Sequence, residues 1–285
     1  MIEINTIKGM NEWTKSKKSE KLSVGFVPTM GFLHEGHLSL IERAKQETDL
    51  VVMSVFVNPL QFGEGEDFDD YPRDKQRDAS LAEAHGVDVL FYPDVEEMYP
   101  TPLSVTLKVH QGVDVLCGGS RPGHFDGVAT IVMKLLQIIE PEKAFFGMKD
   151  AQQVSVIKRM VTDFNLKIEI VAVEIVRDED GLAKSSRNVN LSSSERAEAT
   201  KIYQTLKQVK HKALDKHTSD IPGLERWTKN QLKSQLIEGE IDYVQILNFP
   251  ELTMPTDYEG EMILAVAVYY ERARLIDNIT WHQRG

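Results

Sequence analysis

The chain has 285 residues, 41% of them hydrophobic and 27% charged, which is the composition of an ordinary globular protein with one large or two modest domains. Its net charge of −11, without any block rich in Lys and Arg, argues against a general nucleic-acid-binding protein. Cys117 is the single cysteine, which excludes an internal disulfide. With neither a signal-peptide pattern nor an apolar run of roughly 20 residues, we expect a cytoplasmic protein that does not enter a membrane.

The first predicted elements are a strand or edge segment and then a polar helix, both within residues 1–22. Residues 24–27 follow as an apolar run typical of a buried parallel strand, which we expect to end at Pro28. Apolar side chains then recur at helical spacing over residues 38–44. This stretch therefore predicts a strand, a glycine-containing turn and a helix.

Two histidines, His34 and His37, lie in the turn that opens this helix, with Gly36 between them. Backbone N–H groups and the helix dipole favour an anion at such a helix start, and imidazoles can donate hydrogen bonds to it. A surface pair of histidines and half of a metal site are the alternatives, although zinc normally requires three or four ligands and no cysteine lies nearby. We interpret the turn as a phosphate-binding site.

Residues 49–57 form an almost continuous apolar run, which predicts a central strand of a parallel sheet. Asn58 and Gln61 follow it directly, at the strand end where open α/β sheets bind ligands. A simple turn is the alternative for this Asn-Pro pair. The acidic residues 63–70 predict a solvated loop, with an aspartate that helps to hold Mg²⁺ as the second interpretation.

Residues 73–85 predict a helix, residues 87–92 a strand and residues 105–109 a strand near a sheet edge. The glycine-rich residues 112–127 predict a loop that moves over the site. Arg121 and His124 at its end either approach a nucleotide or hold the loop together.

A helix is expected over residues 125–140, a strand over 143–146 and a helix over 151–164. Lys149 lies between the last two and is placed to neutralise phosphate charge. A strand over residues 168–176 precedes the cluster Lys184-Ser185-Ser186-Arg187, whose cations and hydroxyls suit a polyphosphate.

From Leu191 onward, strands and helices no longer alternate along the sequence. Ser192 and Glu195 form a capping box that starts a helix ending near Ala213, and a second helix covers residues 224–237. Three strands follow, which predicts a separate α+β domain. We therefore expect an α/β fold: a Rossmann-like parallel-sheet domain over residues 1–176, then a smaller C-terminal α+β domain over 177–285 that closes over the first. The predicted strands are residues 242–247, 262–270 and 273–279.

Five motifs within residues 24–190 occur in an order that resembles the pantothenate synthetase family, part of the H-x-G-H nucleotidyltransferase superfamily. They are P-T-M-G-F-L-H-E-G-H, N-P-L-Q-F, R-P-G-H-F-D-G, G-M-K-D-A-Q-Q and K-S-S-R-N. Met148 stands where the family usually has glutamate, and Lys184 where it has methionine or leucine. The C-terminal residues carry no motif on which the resemblance depends.

The resemblance implies His34, His37 and Lys149 as catalytic residues, and Asn58, Gln61 and Gln153 as contacts for pantoate or β-alanine. It also implies a homodimer and Mg²⁺ that bridges the phosphates of ATP. The implied ATP-binding residues are Met30, Gly31, Phe32, Leu33, His34, Glu35, Gly36, His37, Gly147, Met148, Lys149, Asp150, Val176, Lys184, Ser185, Ser186 and Arg187.

The implied activity is an ATP-dependent, AMP-forming ligation of an acid to an amine. The carboxylate of (R)-pantoate attacks the α-phosphorus of ATP, and β-alanine then attacks the resulting pantoyl-adenylate to give pantothenate and AMP. Another H-x-G-H cytidylyl- or adenylyltransferase, acting on a phosphorylated small molecule, is the alternative. A nucleotide-binding regulator and a tRNA-aminoacylating fragment are further alternatives, and the acidic net charge argues against the latter.

Overall fold

The computed structural model describes residues 1–63, 65–66, 68–216, 220–256 and 259–283. The chain divides into two compact units. The first unit comprises residues 1–110, 121–148 and 156–174, and the second comprises residues 111–120, 149–155 and 175–285. The predicted division at residue 176, with a C-terminal domain that closes, stays a prediction.

The described part of the first unit contains a six-stranded parallel sheet in the order β1-β4-β3-β2-β5-β6. Its two longest strands, β2 and β3, are valine-rich and almost wholly buried, as a sheet covered on both faces requires. The expected central position of the run after residue 49 is confirmed. The strands are β1 (Ile2–Ile4), β2 (Val24–Thr29), β3 (Leu50–Val55), β4 (Val89–Phe91), β5 (Lys143–Gly147) and β6 (Glu169–Val173).

Helices alternate with these strands. The apolar face of the helix that opens at the histidines packs into the sheet core, where Leu40, Ile41 and Ala44 are buried against Val27 and Val51. The helices up to residue 163 are α1 (Ile7–Ser19), α2 (Glu35–Glu47), α3 (Lys75–Ala84), α4 (Val95–Met98), α5 (Leu116–Ser120), α6 (His124–Ile139) and α7 (Ala151–Asp163). Of these, α5 and the start of α7 belong to the second unit.

In the second unit, two helices pack on a three-stranded antiparallel sheet with the order β7-β8-β9. Helix α8 starts at the predicted capping box: the Ser192 N–H donates to Glu195, and the Glu195 N–H donates to Ser192 Oγ. The predicted α/β fold with a smaller α+β part is confirmed. The elements are α8 (Ser193–Lys216), α9 (Ile221–Gln235), β7 (Glu240–Asn248), β8 (Gly260–Tyr269) and β9 (Arg274–Gln283).

Two strand predictions need correction. Strand β2 does not end at Pro28; it continues to Thr29. This is possible because the pairing with β5 covers Gly25 and Phe26, so that the missing N–H of Pro28 falls outside that ladder. Residues 105–109 form no strand, because the amides of Leu107 and Val109 donate to side chains of α6 instead.

Two predictions about helices also differ from the structure. Residues 112–127 do not form one continuous loop, since α5 lies within them and α6 already begins at His124. Helix α8 runs to Lys216 rather than ending near Ala213. Across the described ranges, none of the helices has both the length and the apolar character to cross a bilayer.

Candidate active site

The predicted phosphate turn is built by its own two histidines. His34 is the N-cap of α2, and its Nδ1 accepts the Gly36 N–H at 3.1 Å. Nδ1 of His37 accepts the His34 N–H at 3.3 Å. Since both Nδ1 atoms act as acceptors, the neutral rings carry their proton on Nε2. The ring centroids are 4.1 Å apart, so two N–H donors lie together at the positive end of a helix.

Asp78 of α3 stabilises the backbone of the turn that precedes α2. Its carboxylate is 1% exposed and accepts the N–H groups of Phe32 and Leu33, each at 2.8 Å. Phe32 has a φ of +50° and Gly31 a φ of +86°. Gly31 has no room for a side chain, because a Cβ there would lie 2.9 Å from Asp78 Oδ2. Asp78 thus fixes a backbone conformation that is otherwise unfavourable.

No sequence motif indicated Asp78. Its burial could have been inferred from Ala82, which lies four residues later on the same helical face and is also buried. The hydrogen bonds to Phe32 and Leu33 could not, because they span more than 40 residues of chain.

Asp78→Asn is expected to destabilise the protein by about 1–3 kcal/mol, because an amide supplies one oxygen for two buried N–H donors and turns its NH₂ toward the other. Chemical denaturation measures this loss. Asp74→Asn is the matched control, since asparagine caps the exposed start of α3 about as well as aspartate. Equal stability of Asp78→Asn and the wild-type protein would show that Asp78 does not hold the turn.

Gln61 and Asn58 lie together beyond the end of β3. Asn58 Nδ2 donates to Gln61 Oε1 at 3.1 Å and to the Gly127 carbonyl at 3.2 Å. Gln61 Nε2 contacts Met30 Sδ at 3.0 Å. Asn58 is 1% exposed, whereas Gln61 is 9% exposed. The structure therefore brings three of the predicted binding residues into one group within the first unit.

Arg121 and His124 also contact this group. The Gln61 carbonyl accepts a hydrogen bond from His124 Nδ1 at 2.7 Å, which leaves His124 Nε2 to accept from Arg121 Nη1 at 3.1 Å. Arg121 in turn forms an ion pair with Glu66, which holds the pKa of that carboxyl below its usual range. Both residues thus support the backbone at Gln61, in line with the second of the two sequence interpretations. Within the acidic segment 63–70, residues 64 and 67 lie outside the described structure.

The remaining predicted phosphate ligands lie in the second unit, except for Gly147 and Met148, which immediately precede them. Residues Met148–Asp150 form a 3₁₀ turn at the start of α7. Lys149 Nζ donates to Ser185 Oγ at 3.2 Å, and Ser185 Oγ also accepts the Arg187 N–H at 3.3 Å. The two predicted motifs therefore meet at one lysine–serine contact. Ser186 is buried next to it.

The segment before Ser185 folds back on itself. The Lys184 N–H donates to the Val176 carbonyl at 2.9 Å, and Gly181 turns the chain with a φ of +98°. The ammonium group of Lys184 pairs with Asp178 at 2.6 Å. Lys184, which departs from the family pattern, therefore forms an ion pair with a carboxylate of the same loop.

A buried ion pair anchors this loop. Arg177 makes two parallel hydrogen bonds to Asp277 of β9, at 2.7 and 2.8 Å, and its guanidinium stacks 3.5 Å from the Tyr203 ring centroid. Burial raises the pKa of Asp277, and Arg177 opposes that rise. The next residue, Asn278, donates to the Lys149 carbonyl at 3.1 Å. No sequence motif indicated Asp277 or Asn278.

The two glutamines at the start of α7 differ in burial. Gln152 is 5% exposed, and its Nε2 donates to the carbonyls of Gly112 and Val115. It therefore fixes residues 112–115. Gln153 is half-buried in the same helical turn.

A sequence profile described as pantoate–beta-alanine ligase matches residues 3–280. Pantothenate synthetase of Halalkalibacterium halodurans is 57% identical over 279 residues, which cover 98% of each chain. That of Bacillus subtilis is 51% identical over 279 residues, covering 98% of this chain and 96% of the relative. The chain belongs to the pantoate–β-alanine ligase family.

Solved structures of pantoate–β-alanine ligases have the same fold. The crystal structure of the Thermus thermophilus pantothenate synthetase superposes with a TM-score of 0.90 at 42% identity, covering 98% of this chain and 99% of that one. The Francisella tularensis ligase, complexed with beta-gamma ATP and β-alanine, gives a TM-score of 0.80 at 36% identity, covering 98% and 97%. The predicted family and enzyme class are confirmed: this ligase condenses pantoate with β-alanine.

Proposed function

We propose that the ligase uses ATP and proceeds through a pantoyl-adenylate. The pantoate carboxylate attacks the α-phosphorus of ATP and releases pyrophosphate, and the β-alanine amine then displaces AMP from the activated carbonyl. The observation that carries this proposal is the pair of Nε2–H donors at the start of α2, which suits a phosphate that gains charge. The ATP and β-alanine bound to the Francisella ligase support the same substrates here.

His34 and His37 are proposed to stabilise the negative charge that develops on the transferring phosphate. Their Nδ1 atoms are engaged in capping the helix, so their Nε2–H donors are held in place before the substrate arrives. Residues 30–33 and 35–36 supply the backbone of the same turn. Catalysis by positioned charge requires no nucleophilic side chain, in keeping with transfer at phosphorus.

Lys149 is proposed to share this charge stabilisation, with Ser185, Ser186 and Arg187 holding the pyrophosphate that leaves. The hydrogen bond between Lys149 and Ser185 keeps an ammonium group and a hydroxyl side by side, which suits polyphosphate oxygens. The other ATP contacts proposed from the family pattern are Gly147, Met148, Asp150, Val176 and Lys184.

Gln61 and Gln153 are proposed to orient pantoate through their amides. Asn58 was predicted as a further substrate contact, but its amide already donates to Gln61 and to Gly127, and its oxygen accepts from Tyr99. We therefore assign Asn58 a role that acts through Gln61. A direct contact with pantoate or β-alanine would require these buried hydrogen bonds to break.

Mg²⁺ is proposed to enter with ATP. Among the described residues, no group of three or more His, Cys, Asp or Glu side chains is arranged as a metal cage. This fits a cation that is held mainly by phosphate oxygens and water, as Mg²⁺ usually is in nucleotide enzymes. When bound, the ion would neutralise phosphate charge.

A homodimer that acts in the cytoplasm is proposed from the family resemblance. The single cysteine, which forms no disulfide within the chain, is consistent with a reducing compartment.

The reaction is tested in two stages. Purified protein is incubated with ATP, Mg²⁺ and (R)-pantoate, and pyrophosphate and AMP are measured before and after β-alanine is added. We expect up to one equivalent of pyrophosphate per active site in the first stage, and AMP with pantothenate only in the second. Pyrophosphate release that requires β-alanine from the start would contradict a separate adenylation step.

A further inference from the structure

We propose that Tyr99, which follows α4, is a positioning residue for the pantoate-binding amide of Gln61 and acts through Asn58. The inference rests on the proposed function, since it assumes that Gln61 binds pantoate. It assigns a role to a tyrosine that lies in none of the sequence motifs discussed above.

Three side chains form a directed chain of hydrogen bonds. The Tyr99 hydroxyl donates to Asn58 Oδ1 at 2.8 Å, and Asn58 Nδ2 donates to Gln61 Oε1 at 3.1 Å. Two backbone groups confirm which way the Asn58 amide faces: the Leu60 N–H donates to Oδ1, and the Gly127 carbonyl accepts from Nδ2. The orientation of Gln61 follows from that of Asn58.

Tyr99 provides the shortest of the four contacts to the Asn58 amide. The other three measure 3.1, 3.2 and 3.3 Å, which are longer than a strong hydrogen bond. Burial raises the pKa of the Tyr99 phenol far above its usual value, so the hydroxyl remains a donor at every working pH. Its ring packs against Phe56, with centroids 5.9 Å apart and the two ring planes tilted by 58°. Tyr99 is thus a rigid donor aimed at Asn58.

The consequence is that Gln61 presents N–H groups rather than a carbonyl oxygen. Its Oε1 is occupied by Asn58, and its Nε2 faces the thioether of Met30, a weak acceptor. An oxygen of pantoate is a stronger acceptor and can replace the sulfur. In the opposite orientation the amide oxygen would face the substrate and could not donate a hydrogen bond to the pantoate carboxylate.

Tyr99→Phe tests this role, because it keeps the ring and removes the hydroxyl. Pantoate binding is measured by calorimetry in the presence of an α,β-methylene ATP analogue, which cannot transfer its adenylyl group. The loss of one hydrogen bond predicts about three- to tenfold weaker pantoate binding. The KM values for ATP and β-alanine should stay within about twofold, since these substrates do not depend on the Gln61 amide.

Asn58→Asp is the second variant. Its carboxylate accepts from Tyr99 but cannot donate to Gln61 Oε1, so the Gln61 amide must turn round. We expect a larger loss of pantoate affinity than in Tyr99→Phe. Tyr92→Phe is the matched control, because it removes the hydroxyl of another half-buried tyrosine in the same unit.

Gln61→Ala separates the inference from the proposed function. If Gln61→Ala binds pantoate as the wild-type protein does, the assignment of Gln61 under the proposed function is wrong. If Gln61→Ala weakens pantoate binding while Tyr99→Phe does not, or if Tyr99→Phe raises all three KM values alike, the role of Tyr99 is overturned and the proposed function remains.

Discussion

His37→Ala is expected to lower kcat by about 10²–10³-fold, the effect of removing one preorganised donor that faces a developing anion. The imidazole Nε2–H is lost from the N-terminal turn of α2, where the helix dipole adds to the stabilisation of charge. Steady-state kinetics with ATP, (R)-pantoate and β-alanine at saturation measure the change. Near-normal turnover by a folded His37→Ala protein would contradict the role of His37.

His37→Asn separates catalysis from helix capping. The asparagine oxygen can accept the His34 N–H, as His37 Nδ1 does, but the shorter side chain carries no donor at the position of Nε2. We expect this variant to be as slow as His37→Ala and to unfold closer to the wild-type protein. His282→Ala, which changes an exposed histidine of β9, is the control and should retain full activity.

Arg177→Met is expected to destabilise the protein by about 3–5 kcal/mol, because it leaves the Asp277 carboxylate buried without its partner. The side chains of the pair are 14% and 6% exposed, so water cannot replace the lost contact. The free energy of unfolding from urea denaturation measures the effect. Arg196→Met removes a partner of Asp178 and of Asp180, which are both more exposed than Asp277, and should cost less than about 1 kcal/mol.

The double variant Arg177→Met/Asp277→Leu removes both charges and should recover much of the lost stability. The pH dependence of Arg177→Met provides a second check. Burial raises the pKa of Asp277, and the loss of Arg177 raises it further. The loss of stability caused by Arg177→Met is then small below the pKa that the Asp277 carboxyl has in the unfolded protein. It grows as pH rises through the pKa that this carboxyl has in the folded protein. Two results would contradict an unpaired buried carboxylate as the cause: an equal loss of unfolding free energy in the single and double variants, or a loss in Arg177→Met that grows as pH falls.

The phosphate turn could be predicted from the sequence because its interactions are local. The end of β2, Gly31 and the N-cap residue His34 follow one another closely in the sequence. The capping hydrogen bonds join residues that are two and three positions apart. The contact between Lys149 and Ser185, which are 36 residues apart, could not be predicted in this way; the sequence indicated only that each of them suits phosphate.

The supporting residues could not be predicted in this way. Asp78 reaches its turn across 46 residues, Tyr99 reaches Asn58 across 41, and Arg177 reaches Asp277 across 100. Hydropathy periodicity indicates which positions are buried but not which buried polar groups meet. The strand expected over residues 105–109 failed for a related reason: the alternating pattern is present, but Val105 is 81% exposed and the nearby amides bond to α6.

An oxygen label distinguishes transfer of the adenylyl group to the pantoate carboxylate from other routes to AMP. (R)-pantoate labelled with ¹⁸O in its carboxylate is converted with unlabelled ATP and β-alanine, and the AMP is analysed by mass spectrometry. We expect one ¹⁸O atom in the phosphate of AMP, because the bond between that oxygen and the acyl carbon breaks when β-alanine attacks. AMP without the label would contradict the acyl-adenylate route.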